Sequence, residues 1–196
     1  WLPDASNYKA DVLMARAGIE LKEFAIIAND KSRQVEGRMA EAEDALKHIA
    51  EARRLVSEST NPAVRARIAL LEYNALRAKQ ESHRVLKLAP IPDSEIELRL
   101  VEALNADPTD TQARLTAASI AISRGDHEGA LTHASVLIES GKSSVTAFYL
   151  ASEAAQKLGK TQLAIRYLGR AAEVMPKSME EAKMSDQARQ RVRQSR

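Results

Sequence analysis

The chain writes the same punctuation twice. Ala121 opens "AISRGDHEGALTHA" and Ala155 opens "AQKLGKTQLAIRYL", with Gly125 and Gly159 at the same place in each, 34 residues apart. Ala113, Ala117, Ala121 and Ala130 match Ala147, Ala151, Ala155 and Ala164; Leu131 matches Ile165 and His133 matches Tyr167. Pro108 and Pro176 stand 68 apart, twice that period. Alanine is abundant, so its matches alone carry little weight. Glycine is scarce, seven in 196 residues, and both copies fall where a helical apolar pattern breaks. A tight turn after a helix needs a residue that accepts positive φ. The pattern implies a repeated helix–turn–helix unit, and one such hairpin cannot bury its apolar face without neighbours.

The rest of the chain supports an all-α fold. Hydrophobic residues make up 44%, but aromatics only 4%, so the core is built from Ala, Leu, Ile and Val. Alanine favours helix and close helix packing. The spacing predicts helix 1 over 6–28, with Met14, Gly18, Leu21, Ala25 and Ala28 on one seam and a break at Asn29-Asp30. Helix 2 is expected over 32–58, with Val35, Met39, Ala42, Leu46, Ile49 and Val56 on its seam and Arg53 at the remaining heptad place. Helix 3 starts at Asn61 as N-cap and Pro62 as first residue. Its seam is Val64, Ile68, Leu71, Ala75, Ala78, Val85 and Ala89, interrupted by Ser82. Pro90 and Pro92 are expected to stop it, and Asp93 or Ser94 to cap helix 4 over 94–105. Helices then follow over 109–124, 127–140, 144–158 and 161–174. Ser178 and Glu181 suggest a capping box for a short terminal helix with a fraying polar tail. Three regions are expected: long antiparallel helices over 1–92, hairpin repeats over 93–176, and a capping helix with tail over 177–196.

A 34-residue helical hairpin with small residues where its helices touch resembles the tetratricopeptide repeat family. The copies are "DTQARLTAASIAISRGDHEGALTHASVLIESGKS" and "SVTAFYLASEAAQKLGKTQLAIRYLGRAAEVMPK". The small residues fall at Ala118 and Ser152, the turn glycines at Gly125 and Gly159, and the buried alanines at Ala130 and Ala164. Pro108 and Pro176 match the closing proline. Arg114 stands where the family has an aromatic, whereas Phe148 fits, and Lys142 replaces one closing proline. A degenerate third unit can be read over about 77–108, with its turn at "PIPD". The resemblance implies a solenoid whose successive first helices line a concave groove for a partner peptide or helix. By register the groove positions are Gln112, Leu115, Ser119, Ile122 and Ser123, then Thr146, Tyr149, Glu153, Gln156 and Lys157. Ser119 and Glu153 stand where members that clamp a C-terminal carboxylate carry asparagine, which argues against chaperone-tail recognition.

Motifs for chemistry are missing. There is no G-x-G-x-x-G, phosphate loop, H-E-x-x-H or G-x-S-x-G. His127 and His133 are six apart and do not face one ligand, and Asp44 with His48 reads as a surface pair. Glu41, Glu43 and Asp44 read as a solvated acidic face. No enzyme, cofactor or metal is expected. With no cysteine, disulfides are excluded. No run approaches a membrane span, and the start at Trp1 suggests a trimmed chain whose compartment stays open.

Net charge is +2, but locally uneven. Residues 61–92 carry six Lys/Arg against two Asp/Glu, 93–142 four against nine, and 177–196 six against three. Such blocks can set which partner docks on which side. Arg77, Arg84 and Lys87 form a basic stripe, and Arg189, Arg191, Arg193 and Arg196 stud the tail, but no aromatics interleave to stack bases. Nucleic acid is therefore the weaker reading. The expected role is a non-enzymatic protein-interaction scaffold. The alternative is a self-assembling component joined through the long N-terminal helices.

Overall fold

The computed structural model of the protein describes residues 5–29, 35–56 and 61–194. Among the described residues the fold is all-α: nine helices and no strand. The expected break at Asp30, the ends of helix 2 at 32–34 and 57–58, the side chains of Ala28 and Val35, and Arg196 lie outside them. The chain divides into two compact units, 1–108 and 109–196. The expected boundary at 92 falls inside the first, at the start of its last helix, and the terminal segment 177–196 belongs to the second.

The first unit holds α1 (Ala5–Asn29), α2 (Val35–Leu55), α3 (Pro62–Leu86) and α4 (Asp93–Ala106). Each packs on the next, and α3 also touches α1. The core of α1 to α3 is alanine-rich: Ala10, Leu13, Met14, Ala17, Ala45, Ile49, Ala52, Ile68 and Ala75 are buried together. Small side chains let the helix axes approach, and Met14 and Ile49 fill the space left, each worth about 1.5–3 kcal/mol of burial. The seam expected on α1 is rotated. Leu13 and Ala17 share the core with Met14, Gly18 and Leu21 are half-buried, and Ala25 is exposed. Asn61 caps α3 as expected, its side chain accepting from Ala63 N at 2.9 Å. Contrary to expectation, α3 stops before both prolines. Lys87 turns the chain at φ 55, and Leu88 N donates to His83 O at 2.9 Å, so Val85 and Ala89 are exposed. Neither Asp93 nor Ser94 caps α4: Pro92 holds that place with no side-chain bond. Asp93 is the first residue of the helix, and its Oδ1 accepts from Gln80 Nε2 at 2.9 Å. Arg53 joins a charged lattice across α2, α3 and α4. Its Nη2 lies 2.5 Å from Glu72 and 3.1 Å from Glu102, and Arg99 reaches Glu72 at 2.9 Å and Glu102 at 2.7 Å. Burial opposes the Arg53 charge, but the Glu72 and Glu102 carboxylates outweigh it and hold its pKa above the ordinary arginine value.

The second unit holds α5 (Thr111–Ser123), α6 (His127–Glu139), α7 (Val145–Lys157), α8 (Thr161–Glu173) and α9 (Met179–Gln194). The first four are each 13 residues long, and α7 and α8 begin 34 residues after α5 and α6. The two turns use the same bonds. Asp126 N donates to Ala121 O at 2.9 Å and Lys160 N to Ala155 O at 2.9 Å, around Gly125 at φ 78 and Gly159 at φ 73. This six-to-one bond needs a left-handed residue between helix and turn, which glycine supplies without strain. Asp110 caps Ala113 N at 2.7 Å, and 34 residues on Ser144 caps Ala147 N at 3.1 Å. Ala130 and Ala164 are buried, and Ser152 Oγ donates to Ala164 O at 3.0 Å across the second hairpin.

Candidate functional site

The ten positions assigned to a groove lie on α5 and α7, which touch each other within the second unit. They pair in register at 34: 112 with 146, 115 with 149, 119 with 153, 122 with 156, and 123 with 157. Gln112, Ser119, Ser123, Gln156 and Lys157 are exposed, and the other five are half-buried. Ile122 leans on the cluster of Ala121, Ala130 and Ala154, where α5, α6 and α7 meet. The Ser123 hydroxyl donates to Ile120 O at 2.7 Å, closing the end of α5.

The N-terminal half of the α7 stripe already has a cover. α9 packs on α8 and α7, much as α7 packs on α6 and α5. Thr146 Oγ1 donates to Glu181 at 3.2 Å, and Tyr149 OH donates to Gln187 Oε1 at 3.2 Å. The Arg191 guanidinium sits 5.5 Å from the centre of the Tyr149 ring. Tyr149 joins the apolar cluster of Val145, Phe148, Leu168, Ala171 and Ala188. What stays open on this face is polar: Ser119 and Ser123 on α5, Gln156 and Lys157 on α7. The tail read as short and fraying is helical through Gln194. Glu181 N donates to Ser178 Oγ at 3.1 Å, and Glu181 Oε2 accepts from Lys177 N at 2.7 Å, which anchors its start. The overlooked signal is Ser185, Ala188 and Val192, a 3-4 spacing of small or apolar residues within "SDQARQRV".

Position 114 differs between the two hairpins. Arg114 Nη1 lies 2.9 Å from His133 Nδ1, linking α5 to α6. Thirty-four residues later Phe148 and Tyr167 make the same link with ring centres 6.4 Å apart. Burial first, and then the Arg114 charge, lower the His133 pKa, which favours the neutral imidazole. The other histidine pairing differs from the expected one. His48 Nδ1 lies 2.9 Å from Glu20 across α1 and α2, while Asp44 takes Lys47 at 2.7 Å. Glu41, beside these, has its pKa raised by burial and then by Glu23, Glu20 and Asp44.

The first unit also offers a concavity. A groove of about 1070 Å³ opens between α1 and α3, walled by Gly18, Leu21, Lys22 and Phe24 on one side and Leu71, Asn74, Arg77, Ala78, Glu81 and Arg84 on the other, with Leu88 and Pro90 at its end. Arg77 and Arg84 of the expected basic stripe line it. No group of three or more His, Asp or Glu among the described residues could hold a metal ion. No described helix is long and apolar enough to cross a membrane. No protein-family model matches the chain, and no curated protein matches it.

Proposed function

We propose that the protein is a tetratricopeptide-like interaction scaffold that holds a peptide or helix of another protein, with no chemistry of its own. The observation that carries this reading is the 34-residue register of α5–α6 on α7–α8, kept in helix length, in the side-chain caps of α5 and α7 and in the turn bonds, although Asp126 caps α6 and Lys160 leaves α8 without a side-chain cap. Such stacking leaves first helices side by side as a continuous surface. The partner-facing positions are Gln112, Leu115, Ser119, Ile122 and Ser123 on α5 with Glu153, Gln156 and Lys157 on α7. Thr146 and Tyr149 contribute by anchoring α9 at the edge of that surface. A photo-crosslinking residue at 119 or 153, compared with one at exposed position 166 on α8, tests this. Crosslinks to one partner from 119 and 153 but not 166 are expected, and the opposite pattern refutes the reading.

One observation favours self-assembly as a second reading. Tyr8, Val12 and Ile19 are exposed at 69%, 37% and 55% on one stripe of α1. Sedimentation across a dilution series decides: a mass that halves on dilution, and stays monomeric with Val12→Lys/Ile19→Lys, assigns that stripe to a second copy.

A further inference from the structure

We infer that the groove between α1 and α3 is a separate docking surface for an acidic amphipathic segment of a partner protein. It stands on the first unit alone and does not depend on what α5 and α7 hold. Three observations converge on this occupant. First, the wall of α3 is a stripe at 3-4-3 spacing, Asn74, Arg77, Glu81 and Arg84, facing Lys22 of α1. Glu81 is already engaged by Arg84 at 2.8 Å, and Asp93 accepts from Gln80. Lys22 and Arg77 have no carboxylate within ion-pair distance among the described residues, and Arg77 donates only to Gln80 at 3.1 Å. The neutral Gln80 amide leaves the Asp93 charge in place, so once Glu81 is paired with Arg84 the lining keeps Lys22 and Arg77 against that one carboxylate, a net positive balance that complements an acidic segment. Second, the same groove carries apolar surface. Leu21 and Phe24 are half-buried in its wall, and Leu88 is 46% exposed at its end. A segment with apolar residues on one face and Asp or Glu on the other satisfies both. Third, Gly18 sits in the middle of α1, on the groove wall, where glycine weakens a helix relative to alanine. A Cβ added there meets nothing within 4 Å, so packing inside the protein does not call for glycine. The missing side chain leaves room for a close approach from outside. Asn74, exposed on the opposite wall, offers a donor and an acceptor to a backbone amide lying between the helices.

The test pans a random 16-residue peptide display library on the full chain near physiological salt. The most enriched peptides are made with a fluorescein label and titrated by anisotropy. The proteins are the wild type, Gly18→Leu, Lys22→Glu/Arg77→Glu and, as a matched change of charge outside the groove, Arg16→Glu/Arg67→Glu. The expected peptides carry excess Asp and Glu on one helical face and Leu, Phe or Met on the other. Their affinity falls at least tenfold with Gly18→Leu and with Lys22→Glu/Arg77→Glu. It changes less than threefold with Arg16→Glu/Arg67→Glu. Gly18→Leu melts no lower than wild type, which separates a blocked groove from a damaged fold. Peptides without acidic excess, peptides indifferent to both groove variants, or no enrichment at all overturn the inference. Binding that survives both groove variants but is lost with Ser119→Arg/Glu153→Arg overturns it and leaves the scaffold reading intact. Tight binding of a fluorescein-labelled 20-mer of thymidine that is lost with Lys22→Glu/Arg77→Glu, in place of the peptides, assigns the groove to nucleic acid. A dimer that Gly18→Leu dissolves assigns it to a second copy.

Discussion

Gly159 and Gly169 offer a comparison in which sterics are held constant and only the backbone differs. A Cβ added at either position meets nothing within 4 Å. Gly159 lies at φ 73, between α7 and α8, whereas Gly169 lies inside α8. In the left-handed region an L side chain costs about 1–2 kcal/mol. Inside a helix, alanine is favoured over glycine by about 0.5–1 kcal/mol. Gly159→Ala should therefore destabilise the second unit by about 1–2 kcal/mol, and Gly169→Ala should stabilise it by about 0.5–1 kcal/mol. Lys87 supplies the inverse case in the first unit. It is the non-glycine residue at positive φ among the described residues, and its backbone closes α3. Lys87→Gly relieves that strain but frees the unfolded chain, for a net gain of about 0.5–1 kcal/mol. Urea unfolding followed by circular dichroism reads all three, and thermal melts should move by about 4–8 °C per kcal/mol for units of this size. The reasoning fails if Gly159→Ala and Gly169→Ala shift the midpoint in the same direction. It also fails if Gly159→Asn, which tolerates this region better, costs as much as Gly159→Val.

Tyr149→Ala should loosen α9, since it removes the ring under Arg191 and the bond to Gln187. For a half-buried ring the cost is about 1–3 kcal/mol, and amide exchange should rise in α9 before α8. Because the His133 pKa is lowered, its stabilising contribution is present above about pH 6.5, the unfolded imidazole value. It is lost as pH falls below that and through the folded value. Arg114→Phe/His133→Tyr, which copies Phe148 and Tyr167, should flatten the melting temperature between pH 5 and 7; an unchanged slope would sink the assignment to His133. Ala164→Leu should cost about 1–3 kcal/mol by forcing α7 from α8 at the Ser152 bond, and an unshifted melt would show that the contact is not close.

The hairpin turns were legible because they depend on short-range chemistry. Gly125 and Gly159 are needed by backbone conformation, Asn61 by an open amide, and Ala130 and Ala164 by helix approach. Each requirement sits within one or two turns of the residue that meets it. What stayed hidden depends on partners far along the chain. Arg53 read as a polar gap in an apolar seam, but its carboxylates are Glu72 and Glu102, 19 and 49 residues away. The groove of the first unit joins α1 to α3, so neither helix shows it alone. Tyr149 looked free because Gln187 and Arg191, which cover it, fall in the end of the terminal helix that read as a fraying polar tail. Periodicity also misjudged α1, where alanines on two adjacent stripes left the direction of the core undetermined until α2 and α3 were in place.

The two repeats, alike in backbone, should differ in local stability. α5 buries only alanines: Ala113, Ala117, Ala118 and Ala121. α7 buries Val145 and Phe148 as well as four alanines and Ser152, and α8 and α9 both lean on it. Fully burying a valine or phenylalanine gains about 1.5–3 kcal/mol, whereas an alanine methyl gains about 0.8 kcal/mol. The Arg114–His133 link adds a polar contact where the second copy has two rings. In stacked hairpins each unit draws its stability from itself and its nearest neighbours. Opening of the second unit should therefore begin at α5, with α7 and α8 holding until the cooperative transition. Native-state hydrogen exchange in low urea measures this residue by residue. Amides of α5 should exchange through an opening at least 1–2 kcal/mol smaller than that of α7, on the scale of one large side chain's burial. Equal opening energies would mean that α5 draws support from beyond its own hairpin, and the alanine-only face would no longer mark the weak end of the unit.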